Sequence, residues 1–399
     1  MKIAILTSGI LPVPAVLGGA VENLIDYYLE NNNQHQLHDI TVYSVAPPHS
    51  TLKADTSCTH YHYINMRSLW HRLKRACYMN THKDGYYNGY IEYYLHEALK
   101  DIKRQKYDVI ILENRPGYAI PVSKVTDARI ILHLHNDFLN SESRNASEII
   151  QVTDTVITVS DFIKGRVETL LPIHPHNSTT LQPQTYTVHN GIDLRRFYNA
   201  SPIQRETLGF TENDFIVVYS GRINPEKGVK ELIQAFKQLK EYPDIKLMII
   251  GGSFFGNEQG NDPFIQSLQE SAKELTDIIT FTGYIPYEQI PSYLKMANIA
   301  VVPSMWDEPF ALTLIEAMAT GLPVVATHVG AIVEVSQNNV ILVNKESSTK
   351  GIAQSILKLY HSPSLRTSMS QTGLAISQQY AKERYAKDFF NAISSKSGN

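Results

Sequence analysis

The chain has 399 residues, 43% hydrophobic and 19% charged, a composition that excludes wholesale disorder and suits two or three buried cores. Its 36 Lys and Arg against 39 Asp and Glu leave a formal charge of −3, which is not the global charge of a nucleic-acid binder. Two cysteines, Cys58 and Cys77, exclude a disulfide framework and carry no metal-ligand spacing, as expected of a reducing compartment.

Taken in chain order, Lys2 precedes the apolar run Ile3–Leu6, which stops at Thr7-Ser8-Gly9. That is too short for a secretory core and reads as a buried first strand. The longest uncharged stretch of the C-terminal third, Ala317 to Val333, contains Gly321, Pro323 and Gly330. It reads as a helix end, a strand and a loop, not a membrane span, so a soluble, cytoplasmic protein is expected. After Leu17-Gly18-Gly19, positions Val21, Leu24, Ile25 and Tyr28 fall at helical spacing. Further strands are predicted at Ile40–Val45, Val109–Leu112, Ile130–Leu134 and Thr155–Val159. Their nearly continuous apolar character suits strands covered on both faces, as in a parallel sheet.

The pattern restarts after Asn190-Gly191-Ile192-Asp193, with strands predicted at Phe215–Tyr219, Lys246–Ile250, Ile278–Phe281, Ile299–Val302 and Val324–Ala326 and a helix at Val229–Leu239. A last helix, about Ala381–Ile393, carries Tyr385, Phe389 and Ile393 at i, i+4 and i+8. The expected organisation is α/β, with two doubly wound parallel-sheet domains and breaks at 195 and 375: residues 1–195, 196–375, and a terminal segment 376–399. Ligands of such sheets bind beyond the carboxyl ends of the strands. Chemistry is therefore sought in loops 7–19, 133–137, 221–228, 251–256, 282–286 and 303–312, gathered around one shared cleft.

The block from Trp306 to Pro323 is the most informative. Pro309 fits the first turn of a helix and Gly321 its exit. Glu308 then lies just before the helix and Glu316 about two turns inside, while the amides of Phe310, Ala311 and Leu312 offer an anion site. An ordinary amphipathic helix is the alternative. In Ser220–Gly228, Arg222 and Lys227 set two cations beside a glycine-flexed turn, as a diphosphate would need; a solvated charged loop is the alternative. Gly18-Gly19 would let backbone approach a phosphate or simply make a turn. His133 and His135 share one face of a strand ending at Asn136-Asp137. Metal binding there would need a third ligand, and none is evident nearby. Neither G-x-G-x-x-G nor a Walker lysine motif occurs, which argues against hydride transfer and P-loop hydrolysis.

Together, and in this order, Gly18-Gly19, His135, Asn190–Asp193, Gly221-Arg222 with Lys227-Gly228, Phe281-Thr282-Gly283 and the pair Glu308 and Glu316 resemble the family-4 retaining glycosyltransferases. These are enzymes of the two-Rossmann (GT-B) architecture, of the bacterial cell-surface polysaccharide and lipopolysaccharide type. The chain departs from the family's frequent glycines at Ala311 and at Gly330-Ala331. The resemblance implies transfer of a sugar from a nucleotide-diphosphate donor, a UDP-sugar favoured, with retention and with no metal or other cofactor. Arg222 and Lys227 would hold the diphosphate, aided by Phe310, Ala311 and Leu312. Glu316 would bind the ribose, Glu308 the donor-sugar hydroxyls, and His135 would sit near the anomeric centre. Gly18 and Gly19 would meet the phosphates, and Gly252, Tyr284 and Ile285 would line the nucleotide. The terminal helix would return to the first domain. A nucleotide-sugar 2-epimerase on the same fold and a non-catalytic nucleotide-sugar-binding protein are the rival readings.

Between Met66 and Met79, Leu69, Trp70, Leu73 and Cys77 share one helical face while Arg67, Arg72, Lys74 and Arg75 occupy the rest. Such a helix suits an anionic membrane surface or packs Trp70 into the first domain. With the family's acceptors, the first alternative implies a peripheral enzyme acting on a saccharide, lipid-linked where the acceptor is membrane-borne.

Overall fold

The computed structural model describes residues 1–48, 53–66, 68–81, 85–171, 182–253 and 262–395. The chain divides into two units, Met1–Asn190 with Lys382–Asn399, and Gly191–Ala381, where the sequence suggests breaks at 195 and 375.

The first unit is built on seven parallel strands: β1 (Lys2–Leu6), β2 (Asp39–Val45), β3 (Thr59–Ile64), β4 (Val109–Glu113), β5 (Arg129–Leu134), β6 (Thr155–Thr158) and β7 (Gln184–Thr187), in the order β3-β2-β1-β4-β5-β6-β7. Every residue of β4 is buried, the two-sided covering that its Val-Ile-Ile-Leu run predicts. The helices Ala20–His35 and Lys382–Ser394 share one core, in which the Tyr28 and Phe389 rings stack at 4.2 Å. Tyr385, Phe389 and Ile393, the periodic stripe of the last helix, are all buried there.

The second unit carries six parallel strands: β8 (Phe215–Ser220), β9 (Ile245–Ile250), β10 (Ile279–Gly283), β11 (Ile299–Val302), β12 (Val324–Thr327) and β13 (Val340–Val343), ordered β10-β9-β8-β11-β12-β13. Its core packs the helix Val229–Lys237 through Val229, Leu232, Ile233 and Phe236.

Three strands have no counterpart in the sequence reading, β3, β7 and β13, and each is a sheet edge. β3 and β7 mix polar and apolar residues, as in Thr59-His60-Tyr61-His62-Tyr63-Ile64, and lose the continuous apolar signal, whereas β13, Val340–Val343, is apolar throughout. In each sheet the strand order reverses once, between β1 and β4 and between β8 and β11. Such switch points are where open α/β sheets form ligand sites. The two cysteines form no disulfide, Cys58 being buried and Cys77 exposed. Among the described residues, no helix is long and apolar enough to cross a membrane.

Candidate active-site residues

In the second unit the loops leaving β8 and β11, on either side of the switch point, meet. Asn224 Oδ1 accepts from the Lys227 N–H at 3.1 Å and caps the short turn Pro225–Lys227, after which Gly228 has φ +70°. A Cβ at Gly228 would stand 1.8 Å from the Pro303 carbonyl oxygen, so only glycine lets the first loop press on the second. The Met305 N–H donates to the Glu226 carbonyl at 2.7 Å and ties them together.

This approach brings Lys227 to Glu308 across 81 positions of sequence. The ammonium donates to Glu308 Oε1 at 2.6 Å, and Ser304 Oγ donates to the same oxygen at 2.5 Å. Lys227 also lies over the Trp306 ring, 5.2 Å from its centroid. The lysine side chain is 20% exposed and the glutamate 6%, so the pair lies at the edge of the solvent. Gly330 lies against the Glu308 backbone, and the Ala331 N–H donates to the Glu308 carbonyl at 2.8 Å. Arg222 stands exposed on the β8 loop, its carbonyl accepting from the buried Tyr219 hydroxyl.

The helix expected to start at Pro309 runs instead from Leu312 to Ala319. Ala311 has φ +64° and ψ +65°, a left-handed conformation through which no α-helix continues. That conformation is the physical sense of a glycine at this position. Phe310 is buried against Tyr380, ring to ring at 5.8 Å. Phe310 and Ala311 thus lead into the helix, and Glu316 lies one turn inside it rather than two. Glu316 is buried and accepts from the Tyr287 hydroxyl at 2.9 Å, while Arg196 lies 5.4 Å from the centre of the Tyr287 ring. Burial pushes its carboxyl up to about 7 against the opposing effects of Tyr287 and Arg196. Gly252 follows β9, where its carbonyl accepts from the Ile223 N–H at 2.9 Å, and Tyr284 and Ile285 follow β10, half-buried. Of loop 251–256, residues 254–256 lie outside the described residues.

In the first unit, β4 and β5 pair with Glu113 opposite His133. Glu113, fully buried, accepts from three donors: His133 Nδ1 at 3.1 and 3.2 Å to its two oxygens, His135 Nε2 at 2.9 Å, and the Tyr28 hydroxyl at 2.9 Å. Burial resists ionisation of Glu113, yet the two histidines outweigh it and hold the carboxyl down at about 2. Burial and the neighbouring His133 push His135 down to about 4, so it is neutral at pH 7. With Nε2–H facing Glu113, His135 Nδ1 is a buried acceptor with no partner among the described residues. The Asn114 side chain holds the His135 N–H at 3.1 Å. The third group that two histidines would need for a metal is therefore Glu113, and the three form a donor set of the kind that takes divalent metals. Gly18 and Gly19 open the helix Ala20–His35, with φ +78° and +108°. The Glu22 carboxyl turns back over Gly19, where a Cβ would stand 2.2 Å from its oxygen. Burial lifts Glu22 to about 7 against hydrogen bonds from its own N–H and from Ser8.

Four residues that the sequence reading does not single out, Ser304, Tyr287, Arg196 and Glu113, complete these networks. Glu113 had a signal, a charge closing an apolar strand at its carboxyl end. Tyr287 and Arg196 had none, because they meet Glu316 only through the fold.

Two doubly wound parallel sheets in one chain define the two-Rossmann (GT-B) architecture. Residues 201–375 match the family described as glycosyl transferases group 1. Spore coat protein SA of Bacillus subtilis is 27% identical over 87% of this chain and 87% of its own length. The lipopolysaccharide 1,2-N-acetylglucosaminetransferase of Salmonella typhimurium is 29% identical over 58% of each. Anabaena HepE, solved in complex with UDP-glucose, superposes with a TM-score of 0.73 at 18% identity over 99% of this chain and 100% of its own. It is the second unit, through residues 201–375, that is similar to the group 1 glycosyltransferases.

Proposed function

We propose that the protein is a retaining, metal-independent glycosyltransferase. It moves a sugar from a nucleoside-diphosphate sugar, a UDP-sugar favoured, to a saccharide acceptor in cell-surface polysaccharide or lipopolysaccharide synthesis, at the cytoplasmic face of the membrane. The observation that carries this reading is the Lys227–Glu308 pair at the β8/β11 switch point, with the exposed Arg222 on the same β8 loop as Lys227. Arg222 and Lys227 supply two positive charges where a metal ion would otherwise neutralise a diphosphate, and their charge stabilises the leaving nucleotide. Lys227 exchanges part of its contact with Glu308 for a phosphate oxygen, which frees the carboxylate to accept from donor-sugar hydroxyls. The ionised Glu316, oriented by Tyr287, accepts from the ribose hydroxyls. The backbone at Gly18 and Gly19 meets the phosphates, and Gly252, Tyr284 and Ile285 line the nucleotide. In the reaction the bond from the anomeric carbon to the diphosphate oxygen breaks, the acceptor hydroxyl oxygen bonds to the same face of that carbon, and the hydroxyl proton passes to the departing diphosphate oxygen. The neutral His135 presents Nδ1 as an acceptor near that carbon. The crystallisation of HepE with UDP and glucose supports a uridine donor.

A thermal-shift panel of UDP-, GDP- and ADP-sugars, repeated in EDTA, tests the reading. Stabilisation by a UDP-sugar that survives the chelator is expected. No shift with any nucleotide overturns it, and loss of activity in EDTA overturns metal independence. Appearance of a new sugar nucleotide without acceptor would instead identify the 2-epimerase.

A further inference from the structure

The helix Leu69–Thr81 packs inside out. Its inward side is polar and aromatic: His71 Nδ1 lies 3.0 Å from the Tyr93 hydroxyl, Tyr78 lies against Tyr93 and His96, and Arg75 covers the Tyr90 ring. All of these partners belong to the neighbouring helix Gly89–Ile102. The apolar side faces solvent, with Leu69 76%, Trp70 65% and Leu73 63% exposed, so Trp70 is not packed into the unit. A water-soluble helix normally buries such a stripe.

The charges bracket the stripe. Lys74 lies over the Trp70 ring at 5.2 Å on one side, and Arg72 stands exposed on the other. The helix contains no Asp or Glu. The groove beside it, about 360 Å³, takes Trp70, Leu73, Lys74 and Cys77 on one wall and Lys100 on the other. The acid there, Glu97, is paired with Lys100 at 2.6 Å. Arg67, which the sequence assigns to the same basic cluster, lies outside the described residues.

We propose that this face docks on an anionic lipid surface, with Leu69, Trp70 and Leu73 in the headgroup region and Arg72 and Lys74 on the phosphates. Three side chains on a convex ridge offer on the order of a few hundred Å², well short of the roughly 800 Å² per partner of a stable protein interface. A lipid surface requires no complementary shape, and the unopposed cations select an anionic one. The docking would set the enzyme where a membrane-borne acceptor is met. That purpose rests on the transferase reading, whereas the docking does not.

Flotation of the full chain with vesicles of phosphatidylcholine, alone or mixed with phosphatidylglycerol, tests the proposal. Wild type is expected to float with the anionic vesicles at low salt, to leave them at high salt, and to ignore the neutral ones. Trp70→Glu with Leu73→Glu, and separately Arg72→Glu with Lys74→Glu, should stay with the unbound protein, with about fivefold weaker partitioning for each cation lost. These side chains are exposed, so thermal shifts with UDP should match wild type; should one pair misfold, the other carries the comparison. Wild type that does not float with anionic vesicles overturns the proposal. So does equal flotation with neutral vesicles, or self-association that Trp70→Glu abolishes, which would make a second copy the occupant. Protein that floats but binds no nucleoside diphosphate keeps the docking and loses the transferase reading; the reverse result does the opposite.

Discussion

Each unit sets a buried glutamate beside the switch point of its sheet, and the two are held in opposite ways. Glu308 is approached by one lysine that reaches in from the solvent's edge and by one serine. Glu113 is sealed, with three donors converging on it, His133 from β5, His135 just beyond it and Tyr28 from the first long helix. A carboxylate whose cation is partly exposed to solvent can exchange that cation for a ligand at little cost. One locked by three buried donors cannot, and instead dictates the tautomer and orientation of its neighbours. The comparison separates a centre that binds from a centre that positions.

The largest effect is expected where the sealed centre is opened. Glu113→Ala leaves two imidazoles and the Tyr28 hydroxyl buried without their acceptor, and should destabilise the chain by about 3–5 kcal/mol in denaturant titrations. Glu113→Gln, which keeps the shape, should cost less than half of that. Equal costs would mean that the carboxylate charge is not what the histidines answer.

Glu316 sharpens the contrast through pH. Its carboxyl is raised from 4.5 to about 7 in the folded chain. The stability this represents is fully present below pH 4.5 and is lost as pH rises through 7, up to about 3 kcal/mol. Glu316→Gln should therefore be more stable than wild type at pH 8 and lose that advantage at pH 4.5. Nucleoside diphosphate affinity should move the other way, rising in wild type through pH 7 and staying flat and weak in the variant. Calorimetric titration across this range decides, and a flat wild-type profile would count against ribose recognition by the ionised Glu316.

Lys227→Ala should weaken nucleoside diphosphate binding by about 1.5–3 kcal/mol, roughly ten- to a hundredfold. Unchanged affinity would place the diphosphate elsewhere. The smallest effect is expected at Ala311, where φ is +64°. Glycine tolerates that conformation, and Ala311→Gly should stabilise by about 0.5–1 kcal/mol, read as a rise in melting temperature. A fall would mean that the loop pays more in unfolded-state entropy than it recovers in strain.

The central strands were legible because burial on both faces writes a continuous apolar run into the chain, as in Val109–Leu112 and Ile299–Val302. The edge strands β3 and β7 were not, since they mix polar and apolar residues; β13, Val340–Val343, does carry such a run. The loops carrying Arg222, Lys227 and Glu308 could be found from glycine and charge beside strand ends. What local pattern missed was the start of the helix at Leu312, because Pro309 suits a first turn, whereas the chain reverses at Ala311 next to Phe310, which is buried against Tyr380.

By itself, then, the sequence determined the period of each element, the alternation of strand and helix, and which loops are polar enough to hold a ligand. These are local properties of the chain. The tertiary structure decided the partners. It joined Lys227 to Glu308 and Tyr287 to Glu316, set Glu113 between two histidines, and turned Trp70 outward. Those contacts span tens of residues and depend on strand order and on which face of a helix finds a neighbour, neither of which is encoded in periodicity or spacing.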